Sequence, residues 1–185
     1  EQLYGSEVLT RFLRRVWRRP VASQEVNQLM MLFAKYRPEF SNFEDAMVEV
    51  LATALATPEF LYMAQRVNPN PDETHSTISD SELASRLSIF LWSSSPDNEL
   101  LELAEQNKLR EPDIMKAQVK RMLADPRSKR FSQNFVRQWL GLGGQDSVVH
   151  VTDSSLREAM QEEPIAFFDE VLSQNGSIMD FIHSD

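Results

Sequence analysis

The chain contains no cysteine, which excludes disulfides, thiolate nucleophiles, zinc–thiolate and iron–sulfur sites, and a covalent CxxCH haem. A chain without Cys suits reducing and oxidising compartments alike, so cysteine usage does not place it. Glycine is scarce, with 5 in 185 residues, and no segment alternates apolar and polar residues with a period of two, which argues against β-sheet. No apolar run approaches the roughly 18 residues of a transmembrane helix. The opening "EQLYGSEVL" lacks the basic and apolar regions of a signal peptide. Basic residues nearly vanish towards the C-terminus: residues 143–185 carry 1 basic and 9 acidic side chains, whereas residues 1–66 carry 8 of each. The net charge of -9 therefore belongs to one end of the chain, and overall acidity disfavours nucleic acid as a partner.

What remains is helical periodicity, which recurs in nearly every segment and predicts an all-α fold: a multi-helix bundle of about eight or nine helices in one or two subdomains. A first helix is expected over Ser6–Arg18, with Val8, Leu9, Phe12, Leu13, Val16 and Trp17 inward and Arg11, Arg14, Arg15 and Arg18 outward. Pro20 stops it. Ser23 is expected to cap a second helix and Asn42 a third, and "EFLYMAQ" adds a further helical turn. The segment "RVNPNPDETHSTIS" is rich in Pro, Asn, Asp and Ser and reads as a linker. It divides a small three-helix domain (1–66), through a linker (67–79), from a larger helical domain (80–185) that is expected to be truncated at its C-terminus.

Beyond the linker, Ser79 and Glu82 form an S-x-x-E capping box for a helix with Leu83, Leu87, Phe90 and Leu91 inward. The break in "LWSSSPDNELL" is expected to be a corner, with Ser95 capping the next helix and Pro96 in its first turn. Helices follow from Pro112 and, after the cap Asp125, one carrying Phe131, Phe135 and Trp139. "GLGGQDSVVH" is the Gly-rich loop. Asp153 opens an acidic helix with Leu156, Met160, Phe167 and Phe168 inward, which Pro164 is expected to kink or divide and Gly176 to end; Ser177 caps a last turn.

Chemistry is sparse. No Glu-x-x-His pair supports a di-iron site, and Asp180 with His183 is a poor start for a metal site on a short terminal turn. His75 and His150 read as exposed loop residues. There is no G-x-S-x-G, the serines Ser93 to Ser95 read as caps, and "GLGG" lacks the Lys and Ser/Thr of a phosphate loop. No catalytic, cofactor-binding or metal-ligating residue is assigned. The most deliberate surface feature is the arginine stripe, because Arg11, Arg14, Arg15 and Arg18 fall at i, i+3, i+4 and i+7. The second is an acidic strip with Glu158, Glu162 and Glu163. Both are candidate interaction surfaces for neighbouring domains. Nucleic acid is the weaker partner for the arginines, since no aromatic ladder interleaves them.

"RFLRRVWRRPVASQEV" with "ALATPEFLYMAQ" resembles a small planctomycete domain of unknown function, the one numbered fifteen ninety-five. "ISDSELASRLSIFLWSSSPDNELLELAEQNKL", "MLADPRSKRFSQNFVRQWLGL" and "LREAMQEEPIAFFDEVL" resemble the neighbouring domain numbered fifteen ninety-two. The resemblance implies a piece of an exported multidomain protein, periplasmic or at the cell surface. In it these domains accompany a cytochrome c domain, whose haem c this cysteine-free chain cannot bind covalently. It implies no catalytic residues. The chain departs from the second pattern at Ile89, where an aromatic is common, at Asn107, where Gly is usual, and at Pro164. The expected role is a non-catalytic helical scaffold or interaction module; the alternative is part of an enzyme, a haem-linked oxidoreductase or a polymer hydrolase, whose site is completed by domains outside the chain.

Overall fold

The structure is a computed structural model that describes residues 1–63, 78–142 and 153–183. Most of the expected linker, with His75, and the Gly-rich loop from Gly143 onwards, with His150, lie outside the described residues. Among the described residues there are nine α-helices and no strand, as the all-α expectation requires. The helices are α1 (Gln2–Val16), α2 (Ser23–Tyr36), α3 (Phe43–Leu55), α4 (Pro58–Leu61), α5 (Asp80–Trp92), α6 (Asn98–Glu105), α7 (Pro112–Ala124), α8 (Lys129–Trp139) and α9 (Ser154–Ser173). None is long and apolar enough to cross a membrane.

The chain forms two compact units, the first made of Glu1–Ile89 with Ser95–Ile114, the second of Phe90–Ser94 with Met115–Asp185. In the first, α1, α2 and α3 pack on one another. Their core holds Leu9, Leu13, Trp17, Val26, Phe33, Met47 and Val50, the apolar stripes predicted from helical spacing. Helix α1 begins four residues earlier than expected, running through buried Gly5, and ends two earlier, at Val16. Asn42 caps α3 by accepting the Asp45 N–H at 2.8 Å. Ser23, expected as a cap, is instead the first residue of α2; the Ala22 N–H before it donates to the Glu25 carboxylate at 2.9 Å. That bond is the acid's half of a capping box; Ala22 has no side-chain oxygen to accept a first-turn N–H in return.

The Ser79–Glu82 box forms as expected, with the Ser79 N–H donating to Glu82 at 2.6 Å and the Glu82 N–H to Ser79 Oγ at 3.2 Å. The corner after Trp92 also forms, but its cap is Asp97, which accepts the Leu100 N–H at 3.0 Å, not Ser95. Ser93, with φ 49°, makes the reversal. Asn107 follows α6 with φ 54°. That left-handed position suits Gly and tolerates Asn, so a Gly-to-Asn departure there leaves the helix end intact.

In the second unit α8 packs on α9 around Val136, Leu142 and Ile165. Trp92 is fully buried and donates from Nε1 to the Met122 carbonyl at 2.9 Å. The Arg127 guanidinium lies 3.5 Å from its ring centroid. Asp125 caps the turn ahead of α8 and holds Arg127 in place through two contacts, at 2.9 and 2.8 Å. Pro164 does not divide α9, which runs unbroken over 20 residues. Asn175, φ 51°, rather than Gly176 takes the left-handed position that ends it. Ser177 caps the last turn by accepting the Met179 N–H at 3.1 Å. Three expected inward residues are outside the core: Phe90, Leu156 and Met160 are exposed.

Two outcomes test this packing. Leu13→Ala lowers unfolding stability in urea by about 2–5 kcal/mol, whereas the exposed Val48→Ala changes it by less than about 0.5 kcal/mol. The Arg127 guanidinium and N–H beside Asp125 hold its carboxyl down to about 2. Its contribution to stability is therefore complete above the unfolded value of about 3.9 and disappears as pH falls through about 2. Asp125→Asn is accordingly less stable than the parent at about pH 5, and the gap closes at about pH 2, read by thermal unfolding at each pH.

Candidate functional site

Helix α1 stops at Val16 because the chain leaves the helical path at Arg18. Trp17 caps the helix, and Arg18 follows with φ 57°. That position usually takes Gly, and a residue with a Cβ there carries a cost on the order of 1 kcal/mol. The side chain explains its presence. The Trp17 indole donates to the Ala54 carbonyl at 3.3 Å and to Thr57 Oγ1 at 3.0 Å. The Arg18 guanidinium donates to the carbonyls of Glu59 (2.9 Å), Val16 (3.1 Å), Tyr62 (3.3 Å) and Phe60 (3.5 Å). These include carbonyls at the end of α4 that have no partner within so short a helix. Arg18 is only 9% exposed. Burial pushes its guanidinium below the usual arginine value, and among the described residues no carboxylate acts against that.

Around this latch the first unit opens a cavity of about 720 Å³. Trp17, Arg18 and Arg19 form one wall, Tyr62 and Met63 a second, and the start of α5 from Ile78 to Glu82, with Ser85 and Arg86, a third. Asn107 and Arg110 complete it. Most of its charges are already matched. Arg19 makes a two-contact pair with Glu25 at 2.6 and 2.9 Å and lies over the Trp17 ring. Asp80, 6% exposed, takes Arg110 Nε at 2.8 Å and the buried Leu109 N–H at 3.0 Å. Glu82 holds the Ser79 N–H. Arg86 is exposed and has no partner among the described residues.

The predicted arginine stripe is not one surface. Arg11 is exposed and pairs with Glu7 at 2.8 Å. Arg14 is tied to Glu105 at 2.6 Å, and that carboxylate raises its pKa further. Arg15 is exposed without a partner among the described residues. Arg18 is the correction: the helix ends before it, and the left-handed turn carries it off the stripe and inside. In the acidic strip Glu158, Glu162 and Glu163 are all exposed, and Glu162 meets Arg137 at 3.1 Å. Among the described residues no group of three metal-ligating side chains occurs. Sequence reasoning missed the cavity because its walls come from segments over 90 residues apart; the signal that could have found Arg18 is an arginine one residue past a capping tryptophan.

The second unit carries a run of touching aromatic rings. Phe90 meets Phe131 at 4.9 Å, Phe131 meets Phe135 at 5.6 Å, and Phe135 meets Trp139 at 5.7 Å. Phe168 and Phe181 pack against this run from one side. Phe131, Phe135 and Trp139 share one face of α8 because they are spaced by four. Trp139 remains 57% exposed, and Phe90, expected inward, 60%. One layer of partners, α9 and the final turn, is too small to cover both ends of the row.

Arg18→Ala removes the carbonyl latch and keeps the backbone cost, so it lowers stability by about 1–3 kcal/mol. Arg18→Gly loses the same bonds but relieves the left-handed strain, and retains about 1 kcal/mol relative to Ala. Urea midpoints of the two variants check the order.

No curated protein and no solved structure matches the chain. The family model described as Protein of unknown function (DUF1595) matches residues 4–64. That described as Protein of unknown function (DUF1592) matches residues 78–185, more than half of the chain. The helical pair of domains expected from the quoted motifs is therefore present, and the chain belongs to the DUF1592 family, with a DUF1595 domain preceding that part.

Proposed function

We propose that this chain is a non-catalytic helical interaction module of an exported, cytochrome c-associated polypeptide, and that its aromatic row docks a neighbouring domain of the same polypeptide. The observation that carries this reading is the continuous series Phe90, Phe131, Phe135 and Trp139, whose two end rings are more than half exposed. Contiguous exposed apolar surface on a folded domain marks an interface, and large aromatic anchors dominate interface energetics. Arg15, Glu158 and Glu163, exposed and unpaired among the described residues, supply charges that orient an approaching partner. Any haem c is carried by that partner, because this chain has no cysteine to attach one.

The second reading, a fragment of an enzyme, draws on the cavity of the first unit, to which Arg86 contributes. Its carboxylates Asp80 and Glu82 are engaged in holding N–H groups and a guanidinium, which suits a binding surface better than proton transfer.

Docking is tested by mixing the chain with the separately produced haem-bearing remainder of the polypeptide at low salt. The expected result is co-elution on size exclusion and quenching of tryptophan emission by the haem. Phe90→Ser and Trp139→Ser each weaken association by about tenfold or more, with helical content unchanged by circular dichroism. Absence of both co-elution and quenching overturns the reading.

A further inference from the structure

The end of α9 leaves a hollow in the second unit, beside the aromatic row. The helix closes with the Gly176 N–H donating to the Val171 carbonyl at 2.8 Å, after Asn175 has taken the left-handed position. The chain then doubles back into the last turn, Ile178–Phe181, whose start is fixed by the Ser177 N–H donating to Asp180 Oδ2 at 3.0 Å. A Cβ at Gly176 would stand 3.3 Å from Val171 Cγ1, so this close return favours glycine. The reversal brings the Phe181 ring to 5.8 Å from Phe168. Between the end of α9 and the returning turn remains a cavity of about 150 Å³, walled by Phe168, Val171, Leu172, Ile178 and Phe181. Among the described residues Asn175 is the polar side chain of its lining, and no charged one lines it.

Size and lining together select an occupant. A cavity of roughly 150 Å³ walled by Leu, Ile and Phe stays dry and takes a benzene ring. Phe168 and Phe181 are tilted by 35° to one another and offer edges and faces to a third ring. The hollow is open to solvent, with Ile178 78% exposed at its rim, so a ring can enter while the chain that carries it stays outside. We propose that this hollow is the anchor pocket of the docking surface and receives one phenylalanine side chain of the docked domain. The proposal rests on the docking reading for what carries the ring. The hollow and the row are continuous: Phe168 packs on Phe135 at 5.2 Å and Phe181 on Trp139 at 6.0 Å. Interface energy concentrates where an anchor fills such a pocket. A lysine side chain would bring its charge against walls that have no group to pair with it, and a leucine forgoes the ring contacts.

The test is titration of the full chain with N-acetylphenylalaninamide, followed through the methyl NMR signals of Val171, Leu172 and Ile178. N-acetylleucinamide and N-acetyllysinamide serve as comparison probes. The expected result is saturable shifts with a Kd of about 1–10 mM, about threefold or more weaker binding of the leucine probe, and no saturation with the lysine probe. Val171→Phe places a ring of its own in the hollow and lowers the affinity by about tenfold or more. Ile178→Ser, at an exposed position where substitution leaves the fold intact, lowers it by about threefold. In the co-elution assay with the haem-bearing remainder, Val171→Phe weakens association by about tenfold. Failure of the phenylalanine probe to saturate, equal binding of the leucine or lysine probe, or unchanged affinity in Ile178→Ser overturns the proposal. Undiminished co-elution of Val171→Phe overturns it too, and leaves docking through the row standing. Failure of the parent chain to co-elute overturns the docking reading and with it the docked domain as the source of the ring, whereas the probe shifts report on the hollow alone.

Discussion

A guanidinium buried among main-chain carbonyls organises the first unit. Arg18 occupies a backbone position that favours glycine, and the hydrogen bonds it makes there join the end of α1 to α4 and to the strand of chain after it. Carbonyl groups are dipoles and carry no net charge. They satisfy the donors of the guanidinium without cancelling its field, so the positive charge is fixed in place with no carboxylate paired to it among the described residues.

The two units use aromatic side chains differently. In the first, Trp17 is fastened through its indole N–H and carries Arg19 on its face, so the ring belongs to the wall of the cavity. In the second, Trp92 is sealed inside with Arg127 against its face, while the row from Phe90 to Trp139 is covered on one side only. A buried ring with its N–H satisfied contributes stability; a ring half in water contributes less, and its exposed area is available to a partner.

Much of the helical framework was legible from spacing and caps. The stripes of α1 and α3, the Asn42, Asp125, Asp153 and Ser177 caps, the Ser79–Glu82 box and the corner after Trp92 are local features, decided within one or two turns. The departures share a cause. Asp97 rather than Ser95 caps α6, and Ser23 begins α2 instead of capping it, because several polar residues near a helix end compete for its N–H groups and sequence alone does not rank them. Pro164 was expected to interrupt α9, but the helix runs through it. Phe90, Leu156 and Met160 follow the apolar rhythm yet stay exposed, since periodicity reports which side of a helix is apolar and not whether anything covers it.

The amino-acid sequence by itself determined the helices: their faces, most of their stops, the absence of thiol chemistry, and the likeness that the DUF1592 and DUF1595 matches bear out. These depend on contacts between residues a few positions apart. Tertiary structure alone decided that Arg18 turns inward, that Arg14 meets Glu105, and that Arg86, Tyr62 and Asp80 face one cavity. Those arrangements depend on which distant segments the burial of Leu9, Leu13 and Val50 brings side by side. Hydrophobic burial is non-directional, so a linear pattern records its demand for partners without naming them.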